Sequence, residues 1–135
     1  MVREIPIAQL AATLRENQAS FVIVQRNPKL GEVAAFEEAL GRRVLDLSEV
    51  NDDLEGMLAL MEQLDDYIGV DNTNMHLRAS VGKTARILVP HLQDFRCMAQ
   101  GDSSPWFPGF TLYRRTPGNG WDHALEQLKG HIQAW

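Results

Sequence analysis

Apolar residues along this chain fall into two rhythms, a helical spacing of about 3.6 residues and short continuous runs, and each change of rhythm marks a new element. Ile7, Leu10, Ala11 and Leu14 recur at helical spacing behind Pro6, whose missing N–H costs nothing at a helix start. A first helix over about 6–16 is predicted. Phe21-Val22-Ile23-Val24 is a β-branched run suited to a strand covered on both faces. Residues 31–40 read as a second helix stopped by Gly41, and 43–47 as a second strand. Asn51 or Asp52 is placed to cap a third helix, with Asp52, Asp53 and Glu55 near the positive end of its dipole. Leu54, Met57, Leu58, Met61 and Leu64 fall on one face of it, a pattern that a strand does not produce. Tyr67-Ile68-Gly69-Val70 then reads as a third strand, 74–81 as a short helix, and Arg86-Ile87-Leu88-Val89 as a fourth strand. Thr111-Leu112-Tyr113 forms a last strand, and Asp122 caps a final helix with Leu125, Leu128 and Ile132 facing inward.

This alternation predicts an α/β fold of three layers, a Rossmann-like open parallel sheet of about five strands with helices on both faces, as one domain over 1–135. Ligands of such sheets bind beyond the carboxyl ends of the strands. The candidate positions are therefore Gln25 and Arg26, 71–76, 90–96, and Arg114 with Arg115.

Composition narrows the classes. With 135 residues, 44% of them hydrophobic, the chain suffices for one cored domain. A net charge of -5 without a dense Lys/Arg block argues against nucleic-acid binding. The single Cys97 forms no internal disulfide, and no apolar run reaches the roughly 20 residues of a membrane span, so a cytoplasmic protein is expected. His76, His91, His123 and His131 show no metal-ligand spacing, and no Gly-x-Ser-x-Gly nucleophile motif occurs.

Asp71-Asn72-Thr73-Asn74-Met75-His76 follows a strand and opens a helix, where free N–H groups suit a phosphate. Asn72 and Thr73 add donors, and Asp71 can accept from a sugar or ribose hydroxyl. The same residues equally suit plain helix capping, with His76 a partly buried helical residue. His91, Asp94 and Arg96 can meet and orient a phosphate or simply bond within their loop. Trp106, between prolines, either faces a sugar or packs the loop onto the domain.

Three segments taken together resemble the C-terminal domain of bacterial glycosyltransferases related to the lipopolysaccharide heptosyltransferases: DDYIGVDNTNMHLRASVGKTARILVP, then DFRCM, then Asp102 with the SSPWFPGFTLYRR that follows it. The flavour is that of the group in which this domain follows tetratricopeptide repeats. Val70, Asp71, His76, Leu77, Gly82, Lys83, Pro90, Asp94, Arg96, Ser104, Pro105, Trp106 and Pro108 match the pattern, and REIPI at 3–7 resembles the segment that opens the first helix. The resemblance implies the C-terminal half of a GT-B enzyme with a nucleotide-diphosphate sugar as donor and no further cofactor. It implies donor contacts at Asp71, Asn72, Thr73, Asn74 and His76, with Gln25 near the base and His91 and Arg96 on phosphate. Arg78 and Ala79 stand where the family has Ala and Gly, Thr84 replaces a proline, and Glu4 replaces a serine. Members also carry a strand and a Gly-Asn-rich phosphate loop ahead of the first helix, so a domain starting at Met1 is expected to lack both, together with the N-terminal acceptor domain. It is then expected to be incomplete as an enzyme on its own. Phe21–Val24 and Tyr67–Val70 are in that case expected to pair directly or to have the gap filled by a partner chain, such as a homodimer. The alternative is a non-catalytic assembly module that keeps the fold.

Overall fold

The computed structural model describes residues 5–26, 28–70, 73–89, 107–116 and 120–133. Helix and strand alternate up to β4, as the pattern predicts, and β5 follows it among the described residues: α1 Ile7–Leu14, β1 Val22–Ile23, α2 Glu32–Leu40, β2 Leu45–Asp46, α3 Leu54–Gln63, β3 Ile68–Val70, α4 Thr73–Ser80, β4 Arg86–Val89, β5 Thr111–Arg114 and α5 Asp122–His131. A 3-10 helix, Ser48–Asp52, precedes α3. It changes the expected cap: the Asp53 side chain accepts from the Gly56 N–H at 3.1 Å, and Asn51 turns inward instead. Asp122 does not cap α5 either. It occupies the first turn, behind Trp121, and accepts from Gln9 of α1 at 3.2 Å. Gly31 and Gly41 bracket α2 in the left-handed conformation, where a residue with a Cβ is strained.

The chain is a mixed α/β protein whose strands form two parallel sheets, β1-β2 and β3-β4-β5. The register runs Val22 to Leu45 in the first, and Ile68 to Arg86 to Thr111 in the second. The expected direct pairing of β1 with β3 does not occur. Strand β2 is shorter than the 43–47 expected, and both its residues are exposed, because it has a neighbour on one side only.

Strand side chains alternate between two apolar clusters. Val22, Val24, Tyr67, Ile87, Val89 and Leu112 join Met57 and Met61 of α3 and Met75 of α4 on one face. Phe21, Ile23, Ile68, Val70, Leu88 and Tyr113 join residues of α1, α2 and α5 on the other. The strands pair as two sheets and not as the single sheet of about five strands expected from the sequence. Residues around β1 and around β3 line a cavity of ≈ 1470 Å³.

Arg78 stands at one position where the sequence departs from the pattern it resembles. Only 2% exposed, it donates through Nη1 to the carbonyls of Met61 and Leu64 at the end of α3, and through Nε to Thr84 O at 2.8 Å. Orphan carbonyls at a helix C-terminus want such a cation. Burial pulls its pKa down, while Asp66 and Asp65 push it back. A second polar chain runs along the α5 side of β4 and β5: Arg86 pairs with Asp66 at 2.8 Å and donates to Tyr113 Oη at 2.9 Å, and Tyr113 Oη lies 2.8 Å from His131 Nδ1. Burial lowers the Arg86 pKa, but these partners outweigh it and the net shift is upward.

Candidate functional site

The rim beyond the C-terminal ends of β1 and β3 is tied together by two buried asparagines. Just past β1, the Val24 carbonyl accepts from Asn51 Nδ2 at 3.0 Å and from Asn74 Nδ2 at 2.9 Å. Asn74 Nδ2 also donates to Asn51 Oδ1 at 3.0 Å, and Asn51 Nδ2 reaches Ser48 O at 2.8 Å. Asn51 is 9% and Asn74 2% exposed, so these amides are bound where water does not compete, and an unmade bond there is costly. Asn74 lies in the first turn of α4. The chain beyond β1 and the start of α4 are thereby held together.

Thr73 stands exposed at the first position of α4, above the N-terminal turn whose N–H groups favour an anion. Asn74 is held away from solvent, its amide nitrogen engaged as described, while its Oδ1 is buried with no partner among the described residues. His76 is half-buried and sets its ring edge-on to Phe107, centroids 5.3 Å apart. Gln25 is exposed, and its amide donates to Glu32 Oε1 at 2.8 Å, the same oxygen that takes the Lys29 N–H at 3.1 Å. The Arg26 guanidinium reaches Asn51 O at 3.5 Å, at the long limit of a hydrogen bond. Asp71, Asn72, His91 and Arg96 lie outside the described residues, as do Pro90, Asp94 and Trp106.

Of the expected donor contacts, Asn74 bonds to Val24 O beside Gln25, whereas the Gln25 side chain turns to Glu32 of α2 and His76 to Phe107. Thr73 is exposed, His76 rests on an aromatic ring, and Asn74 is built into the scaffold. Asn51 is the residue that sequence reasoning assigned differently, as a helix cap. Its inward role had one faint signal, an Asn followed by two aspartates that serve as caps equally well. Chemically the rim offers the exposed Thr73, the start of α4 and the Arg26 cation, groups of the kind that suit an anion. Among the described residues there is no group of three His, Cys, Asp or Glu side chains that could hold a metal ion, and no described helix is long and apolar enough to cross a membrane.

No protein-family model matches the chain, and no curated protein or solved structure does.

Proposed function

We propose that this chain is the donor-binding domain of a glycosyltransferase-like protein, taking a nucleotide-diphosphate sugar at the rim beyond β1 and β3. The fold reading that accompanies it is a single Rossmann-like layer in which the two parallel sheets are halves. The observation that carries the proposal is the Asn74 bond to Val24 O, which brings the start of α4 beside Gln25 and Arg26. Asp71, Asn72, Thr73 and His76 hold the diphosphate and sugar, Gln25 lies toward the base, and His91 and Arg96 neutralise phosphate. The sequence resemblance supports the choice of ligand. Transfer, once an acceptor domain is present, relies on positioning and on electrostatic stabilisation of the leaving diphosphate.

Calorimetric titration with uridine, guanosine and adenosine diphosphates tests this. At least one binds with a Kd of roughly millimolar or tighter, and Asp71→Ala weakens it. Absence of binding by all three, or binding indifferent to Asp71→Ala, overturns the proposal. A second reading, a non-catalytic assembly module, is favoured by the apolar cleft in the strand layer and by the engagement of Gln25 with Glu32. A stable dimer in sedimentation, with no nucleotide affinity, supports that reading.

A further inference from the structure

We propose that the C-terminal end of β5 and the start of α5 form a second site, for an oxyanion, with the Arg115 guanidinium and the Trp121 indole N–H as its donors. This stands apart from the nucleotide reading and does not require it: β5 is separated from β3 by β4 in the sheet order, and the two sites share no residue.

The sequence places Arg115 just past the last strand, at the edge where ligands of a parallel sheet bind. The fold holds it there. Its N–H donates to Val89 O at 2.8 Å, which pins the backbone one residue beyond β5 and beside the last residue of β4. Thr116, which follows, pairs with Gly120 as an antiparallel bridge, its N–H meeting Gly120 O at 3.0 Å. That bridge turns the chain back on itself, so Trp121 and the first turn of α5 start beside the residues that leave β5.

Side-chain direction agrees. Tyr113 packs in the apolar cluster formed with α1, α2 and α5, and alternation along extended backbone sends Arg115, two residues on, to the same face. Trp121 belongs to that cluster as well.

What points to a ligand is a set of polar atoms with nothing to bond. Arg115 Nε, Thr116 Oγ1 and Trp121 Nε1 are each buried without a hydrogen-bond partner among the described residues, and Trp121 is only 3% exposed. Indole and guanidinium nitrogens donate and do not accept, and the guanidinium carries a full positive charge. Sealed from solvent, such groups are costly to leave unmet, so they call for an acceptor that the chain does not supply. Helix α5 adds to the demand. It starts behind Trp121 with no side-chain cap, so the N–H groups of its first turn, at the positive end of its dipole, also favour an anion. Asp122, the acid of that turn, is drawn toward Gln9 of α1 at 3.2 Å. A water molecule would satisfy single donors and bring no charge to Arg115, whereas the oxygens of a phosphate or carboxylate group meet the donors and the charge together.

The test is nitrogen-15 NMR on the 135-residue chain, following the tryptophan indole N–H signals as inorganic phosphate or acetate is added at fixed ionic strength. Trp121→Phe keeps an aromatic ring and identifies the Trp121 signal by its loss. That signal is expected to move to saturation with at least one of the two anions, at a Kd of roughly millimolar. Tighter phosphate assigns the natural group as a phosphate, and tighter acetate as a carboxylate. Arg115→Gln weakens the binding by about tenfold or more and leaves the rest of the spectrum in place, and Arg115→Lys, which keeps the charge, falls between. The lysine form carries the comparison if the glutamine form does not fold. No movement with either anion, which would mean that water fills the place, overturns the proposal. So does movement of equal strength in Arg115→Gln or Arg115→Lys, or the same movement with chloride alone.

Discussion

Arg78 brings a full charge to a position almost sealed from solvent, and it is tolerated because three backbone carbonyls, of Met61, Leu64 and Thr84, converge on its guanidinium. Arg78→Met keeps much of the volume and removes every donor. Each buried carbonyl left unpaired costs about 1–3 kcal/mol, so a loss of about 3 kcal/mol or more in urea-unfolding free energy is expected. A loss below about 1 kcal/mol would mean that water replaces the guanidinium there. From the sequence Arg78 read only as a departure from the small residue of the resembled pattern, because residue type and spacing say nothing of carbonyls supplied by α3 and by the turn before β4. Asn74 shows the same limit. Its place in a polar run after a strand suggested a ligand donor, and the fold spends its amide on Val24 and Asn51.

At the scale of elements the chain was far more legible. Apolar spacing located all five helices and five strands of the described residues, since burial of one face is a local demand that the sequence must meet by itself. Ends were read less well. Any of Asn51, Asp52 and Asp53 is chemically a cap, and the 3-10 turn decided among them by placing Asp53 three residues before the Gly56 N–H. Asp53→Ala is expected to lower the stability of the domain by about 1 kcal/mol, seen as a lower urea midpoint at unchanged slope. Asp52→Ala is expected to leave the midpoint in place. Reversal of that order would restore the sequence-based assignment of the cap.

For the molecule as a whole, strands β4 and β5 pack into both apolar clusters, with Ile87, Val89 and Leu112 on one side and Leu88 and Tyr113 on the other. Neither apolar cluster is complete without them. Unfolding is therefore expected to be a single transition, with near-ultraviolet and far-ultraviolet circular dichroism giving the same urea midpoint. Two separated midpoints would show that the β1-β2 half melts on its own, as an open cleft beside β3 would allow. The sequence by itself determined the order of the elements, their parallel α/β character and their inward faces, because each depends on residues near one another in the chain. It also marked the segment after β3 as polar and helix-opening. Only the tertiary structure decided that Asn51 and Asn74 meet at Val24, that Arg78 closes the end of α3, and that β1 and β3 stand apart. The contacts among them join residues 14 to 50 positions apart. No local pattern encodes such a meeting, because what selects it is the cost of leaving buried polar groups and strand edges without partners.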